Sequence, residues 1–286
     1  MNYHKLKLSP GLYFVGTPIG TARDITLRAL DVLASADVLA AEDTRSLRKL
    51  MEIHGIPLDG RNIMAYHDHS GPGMRAKLLA ALDAGQSIAY ASEAGMPMIA
   101  DPGYDLGRAA QEAGHLVTSA PGPTALTTAL TLGGLATDTV LFAGFLPSGS
   151  SQRRSRIEGL KDVPATLAFY ESPKRIAASL VDLAAILGSN REAALCRELT
   201  KKFEEIRRGT LEGLITSVQQ HQPKGEIVLL VARGTSEKIS EDEIDTQLRQ
   251  ALKTLSVRDA ADLVSGATGL KRRTVYQRAL QLDQKG

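Results

Sequence analysis

Two spacings alternate along the chain. Short apolar runs of strand length, "GLYFVG", "DVLAAE", "NIMAYH", "SIAYAS" and "HLVTSA", are separated by segments whose apolar residues recur at helical intervals. Leu12 to Val15 read as a buried parallel strand and Gly16 to Thr21 as a tight turn. Asp24 then reads as the N-cap of a helix whose apolar face is Ile25, Leu27, Ala29, Leu30 and Leu33. Further helices are expected from Thr44, Gly73 and Tyr104, which makes residues 11–120 a βα lobe. After "APGPTALTTALTLGG", a helix opening on a Pro-Gly-Pro turn, the runs "VLFAGF", "ATLAFYES", "REAALCRE" and "GEIVLLVARG" predict a second lobe over residues 121–235. Near Gly234 the acidic, polar "TSEKISEDEID" leads into three short helical segments with no strand between them, a small all-α module over residues 240–286.

Composition narrows the class. At 286 residues, 43% apolar and 23% charged, the chain has room for two ordinary domains with a real core. The single cysteine, Cys196, sits in the apolar run "AALCREL" and reads as a small core hydrophobe. The start "MNYHKLKLSPG" has no apolar leader pattern and no run approaches the length of a membrane span, so a cytoplasmic protein without a membrane partner is expected. A net charge of +2 neither demands nor excludes nucleic acid.

Candidate chemistry gathers at the strand ends. "AYASEAGMPMIADPG" places Ser92, Glu93, Gly95 and Gly103 in a loop after a strand, where a carboxylate could accept hydrogen bonds from a ribose or an amine. "SAPGPTAL" repeats the architecture, with the Thr124 hydroxyl near a helix N-terminus. Loops at successive strand ends of one sheet converge and favour a ligand cleft. No G-x-G-x-x-G follows a strand and no Walker A sequence occurs, so neither a dinucleotide nor an NTP cradle is supported. In "YHDH", His67 and His69 share one side of an extended segment with no third ligand at metal spacing, and no metal is expected. These residues point to a two-lobe α/β enzyme with an organic ligand other than NAD or ATP.

The tail has its own signal. Ser256 reads as an N-cap before an apolar face of Val257, Ala260, Ala261 and Val264, a turn follows at Gly266 to Gly269, and a second helix carries Lys271, Arg272, Arg273 and Arg278. This helix-turn-helix silhouette with a basic second helix fits phosphate neutralisation on RNA.

The ordered motifs "GTPIGTARDIT", "AAEDTR", "YHDH", "SEAGMPMIADPG", "PGPTAL", "GFLP", "FYESPKR", "RELTKKFEE" and "GEIVLLV" resemble those of the ribosomal small-subunit RNA methyltransferase I family, in the tetrapyrrole methylase-like superfamily. The resemblance runs from about Gly11 to Leu282. It implies two α/β lobes of the tetrapyrrole methylase type (class III methyltransferase) plus the helix-turn-helix-like module. It also implies a homodimer using S-adenosylmethionine to methylate the ribose 2′-oxygen of a cytidine in 16S rRNA, at the decoding centre of the small ribosomal subunit.

The same resemblance implies cofactor contacts from the first loop (Gly16, Pro18), "SEAGM" (Ser92, Glu93, Gly95, Met96), "PGPTA" (Pro121, Gly122, Thr124, Ala125), "FYES" (Tyr170, Glu171) and "GEIV" (Glu226, Ile227). The family usually has Asp at Glu93, Thr at Met96 and Asn at Thr21; the longer Glu93 is expected to push its carboxylate further into the cleft. Removal of the ribose proton calls for a base or cation, and Glu42 or His67 is the expected base, with Arg45 and Lys201 on phosphate and Arg197 on RNA. A tetrapyrrole C-methyltransferase would share the lobes but have no use for a basic tail. A ligand-sensing DNA regulator would explain the tail but not the charged strand ends.

Overall fold

A computed structural model of the chain describes residues 2–67, 70, 72–97, 103–234, 241–268 and 272–283. The chain divides into two units, Met1–Arg233 and Gly234–Gly286.

In the first unit, β1 (Gly11–Val15), β2 (Val38–Ala41), β3 (Ile63–Ala65), β4 (Ser87–Ala91) and β5 (Val117–Ala120) form a parallel sheet in the order β3-β2-β4-β1-β5. β1 and β4 are buried along their whole length, which is why they read as unbroken apolar runs: helices cover both faces of a parallel sheet. The crossovers are α1 (Leu27–Ser35), α2 (Thr44–Ile53), α3 (Pro72–Asp83) and α4 (Gly103–Glu112). α1 starts later than the sequence reading has it. Asp24 ends a short 3-10 turn (Ala22–Asp24), and Thr26 is the N-cap, its hydroxyl accepting the Ala29 N–H at 3.2 Å. Ile25 therefore lies outside the helix and Leu27 is 64% exposed, while Ala29, Leu30, Val32 and Leu33 face the core. Thr26 also donates to the Pro121 carbonyl at 3.2 Å, so the loop after β5 fixes where α1 begins.

α5 (Ala125–Gly133) leads into a second sheet of β6 (Val140–Phe145), β7 (Thr166–Glu171), β8 (Glu192–Arg197), β9 (Glu205–Thr210) and β10 (Ile227–Val231). Its order is β6-β7-β10-β8-β9; β6 and β7 are parallel and the remaining pairs antiparallel. α6 (Ser150–Glu158), α7 (Ile176–Leu187) and α8 (Leu211–Gln220) complete the lobe. β9, "EIRRGT", has no counterpart among the apolar runs because it is a half-exposed edge strand rich in charge. Cys196, on β8, is fully buried, and burial pushes its thiol up to about 11, as suits a core hydrophobe. Each lobe has its own core, and one residue crosses between them: Ile19, from the loop after β1, packs with Ala129, Ala168, Val228 and Leu230 of the second lobe.

The second unit holds α9 (Glu241–Leu252), α10 (Val257–Thr268) and α11 (Arg272–Asp283), closed on Leu248, Ala260, Ala261, Val264, Val275 and Ala279. Ser256 caps α10, its hydroxyl accepting the Asp259 N–H at 3.2 Å. The expected turn does not begin at Gly266, because α10 continues to Thr268; Gly269 lies outside the described residues.

Candidate active site

Three loops of the first sheet are bonded into one surface. Gly16 and Gly122 touch through bare backbone: a Cβ on Gly16 would lie 2.7 Å from the Gly122 Cα. The two residues thus serve close approach of the loops after β1 and β5. Thr17 and Gly95 exchange backbone N–H to carbonyl bonds of 2.9 and 3.1 Å, which draws in the loop after β4. The Ser92 hydroxyl donates to the Gly95 carbonyl at 3.0 Å, and the Thr17 hydroxyl lies 3.3 Å from the Ser92 and Gly95 carbonyls. Met96 completes the knot, its sulfur accepting the Gly122 N–H at 3.2 Å.

The second sheet supplies the opposite wall. Thr21 N–H donates to the Thr200 hydroxyl at 3.2 Å, linking the first loop to the segment after β8. There Glu198 and Thr200 adopt positive φ, 50° and 62°. Glu198 N–H donates to the Glu226 carbonyl at 3.0 Å, and Glu226 N–H donates back to the Glu198 carboxylate at 3.1 Å. Lys201 Nζ bridges Glu198 at 3.0 Å and Glu226 at 2.8 Å. Burial works against both charges, but the Glu226 N–H and Lys201 hold the Glu198 carboxyl below its usual range. Likewise the Glu226 and Glu198 carboxylates hold the Lys201 amine above its usual value.

Between these walls lies a cavity of about 360 Å³, within the range of small-molecule sites. Of the residues expected at a cofactor, Gly95, Met96, Thr124, Ala125, Tyr170, Glu171, Glu226 and Ile227 line it. Gly16, Pro18, Ser92, Pro121 and Gly122 are not in the lining; Gly16, Ser92 and Gly122 hold the loops behind it. Glu93 departs from expectation. Its side chain is exposed, its N–H donates to Glu42 Oε2 at 3.1 Å, and the next residue, Ala94, forms the wall instead.

Polar groups in the lining are largely held by neighbours. Thr124 caps α5 through the Thr127 N–H at 3.2 Å. Glu171, buried, accepts from Ser172 N–H at 2.8 Å and the Ser179 hydroxyl at 2.5 Å and pairs with Arg175 at 3.4 Å. Burial raises the Tyr170 hydroxyl above its ordinary value, and its ring meets Phe142 and Phe145 edge-on at 4.8 and 5.7 Å. The lining residues absent from the sequence reading are chiefly apolar: Ile19, Phe145, Leu199 and Val228, with Pro173 and Gly225 beside them. Each falls inside a motif quoted above, so the motifs were the available signal.

The charged candidates separate. Pairing of Ala41 with Ala65 puts Glu42 and His67 at neighbouring strand ends, with His67 exposed; Asp68 and His69 lie outside the described residues. Arg45 is 92% exposed and pairs with Asp43 at 3.3 Å. Arg197 is engaged by Glu205 at 2.6 Å, Arg278 by Asp245 at 2.6 Å, and Arg272 by Asp262, whereas Arg273 is exposed. Lys271 lies outside the described residues. No helix among the described residues is long and apolar enough to cross a membrane.

The family described as Tetrapyrrole (Corrin/Porphyrin) Methylases matches residues 11–215, and the RsmI C-terminal HTH domain matches residues 238–283. A Mesorhizobium japonicum protein named ribosomal RNA small subunit methyltransferase I is 46% identical over 276 residues, 96% of this chain and 93% of that protein. The Vibrio cholerae protein of the same name is 43% identical over 277 residues, 96% of this chain and 95% of that one. The chain belongs to the ribosomal RNA small subunit methyltransferase I family. Solved structures share the family's fold at lower identity. The cobalt precorrin-4 methyltransferase CbiF matches with a TM-score of 0.59 at 17% identity, covering 77% of this chain and 94% of that one. The methyltransferase CobJ matches with a TM-score of 0.61 at 18% identity, covering 79% and 95%.

Proposed function

We propose that this member of the methyltransferase I family transfers a methyl group from S-adenosylmethionine to the ribose 2′-oxygen of a cytidine in 16S rRNA. It acts as a homodimer on the small ribosomal subunit, in the cytoplasm. One observation carries the reading: strand-end loops from both sheets converge on a single, mostly apolar cavity whose first-lobe rim is joined by Glu42.

The residues present fit the cofactor. Gly16 and Gly122 let the loops after β1 and β5 meet behind the cavity, which sets Met96, Thr124 and Ala125 on its wall. Met96, Ile19, Leu199 and Val228 offer apolar contact, and Thr124, Ala125, Tyr170, Glu226 and Ile227 would hold the rest. When bound, S-adenosylmethionine supplies a methyl group on a positively charged sulfur, open to in-line attack by an oxygen. The chain's own task is then to fix the acceptor, exclude water and take up a proton. Apolar lining does the second. Glu42, oriented by the Glu93 N–H, is the first candidate to accept the ribose proton, and His67 stands at the adjoining strand end.

Two features support the partners. β6 is an edge strand, half-exposed from Val140 to Gly144 with a register shift between Phe142 and Phe145, and half-exposed Leu126, Leu130 and Leu135 lie near it in sequence; an apolar edge of this kind suits a second copy. The helical tail, with Arg273 exposed, suits docking on rRNA. The test is to incubate the protein with labelled S-adenosylmethionine and unmodified small ribosomal subunits, a precorrin-type macrocycle or duplex DNA. Label in 2′-O-methylcytidine after nuclease digestion is expected; label in the macrocycle, or in nothing, would refute the assignment.

A further inference from the structure

Several of the basic residues expected to meet RNA or phosphate are already paired. Arg197, Lys201, Arg272 and Arg278 are engaged by carboxylates. A second group lies on α2 and behaves differently. Leu47, Leu50 and Met51 bury one face of that helix, and Arg45, Arg48 and Lys49, spaced three and four apart, are exposed together on the other. Among the described residues Arg48 and Lys49 have no ion pair, and Arg45 reaches only its neighbour Asp43. Glu52, the helix's one acidic residue, follows a turn later without a salt bridge to either. Glu52 stands three and four residues after Lys49 and Arg48, but as the one acid on the helix it leaves a face of three cations with a net positive charge.

The position of this face matters as much as its charge. α2 starts two residues after Glu42, whose carboxylate is bonded to the Glu93 N–H beside the cavity wall. At its far end His54 Nε2 lies 2.9 Å from the Ala22 carbonyl, which brings up the 3-10 turn carrying exposed Arg23. We propose that Arg45, Arg48 and Lys49 form a phosphate track that holds the rRNA backbone flanking the target nucleotide. The inference rests on the rRNA methyltransferase reading and adds to it the surface of the first lobe that engages the substrate.

The test uses the full chain and unmodified small ribosomal subunits, with Mg²⁺ fixed and monovalent salt varied. Each phosphate contact to single-stranded RNA contributes about 0.7 to the slope of log affinity against log salt, so Arg48→Ala with Lys49→Ala should lower the slope by about 1.4. Between roughly 50 and 200 mM salt the double variant should then lose about sevenfold less affinity than the parent. Affinity for S-adenosylhomocysteine should be unchanged, and Arg48→Lys with Lys49→Arg should keep the parental slope. An unchanged slope in the double Ala variant, or an equal fall in Arg156→Ala on α6 with Lys161→Ala in the turn after it, would overturn the track while parental methylation leaves the enzyme reading standing. Failure of the parent to bind or methylate subunits would overturn both.

Discussion

At the scale of single residues, the site is defined more by what is missing than by reactive groups. Gly16 and Gly122 allow two backbones to meet, and no side chain can be added to either without parting the loops. Gly122→Ala, whose Cβ would lie 2.9 Å from the Gly16 Cα, is therefore expected to weaken S-adenosylhomocysteine binding by at least about tenfold, roughly 1.4 kcal/mol. Gly209→Ala, where an added Cβ meets nothing within 4 Å, should leave it unchanged. Isothermal titration of the two variants separates a steric role from a general loss of flexibility. Met96 meets the same geometry through its side chain: its long thioether reaches the Gly122 N–H at 3.2 Å and lines the cavity. Glu93 shows the limit of reading a residue by its type, since its backbone N–H, not its carboxylate, makes the bond to Glu42.

At the scale of elements, the apolar runs are enough to place β1 to β8 and β10, most plainly β1, β4 and β10, which are buried throughout and leave continuous signatures. β9 was hidden for the converse reason: Arg207 and Arg208 serve as ties, to the Ser217 and His221 carbonyls and to the Leu132 carbonyl. With β9 unseen, the Arg197 to Glu205 pair across β8 and β9 was unseen too, and Arg197 looked free for RNA. The start of α1 is ambiguous in sequence because Asp24 and Thr26 are both good caps, and the bond from Thr26 to the Pro121 carbonyl, far along the chain, favours the second. Ile19 and Leu199 escaped notice as cavity residues since each is a lone apolar residue in a polar or glycine-rich loop, and the core they complete belongs to the second lobe.

Asp37 offers a measurable case of strand-to-strand coupling. Its carboxylate accepts the Ser87 N–H at 2.8 Å and hydroxyl at 2.6 Å, joining the starts of β2 and β4, and the Ser87 hydroxyl leads in holding it below the usual carboxylate range. A carboxyl depressed in the folded state stabilises it above the unfolded pKa, near about 3.9, and that contribution fades as pH falls through the folded value. Asp37→Asn should lower stability by about 1 kcal/mol at neutral pH, and the difference should shrink in strongly acidic buffer. Urea denaturation at the two pH values measures it. A loss of equal size at both would assign the effect to packing and not to charge.

At the scale of the molecule, the cavity exists because the two lobes are not independent. Ile19 crosses into the core of the second lobe, Thr21 bonds to Thr200, and the loops after β1, β4 and β5 are tied to one another by Thr17, Gly95 and Met96. Glu42 is tied to the same rim through the Glu93 N–H, next to Ala94 of the cavity wall, and α2 starts two residues after it. The most direct measurement is a crystal structure with S-adenosylhomocysteine bound. The account predicts the ligand in the cavity between the lobes, against Met96, Thr124, Tyr170 and Glu226. Density for it on any other surface, with that cavity empty, would contradict the account.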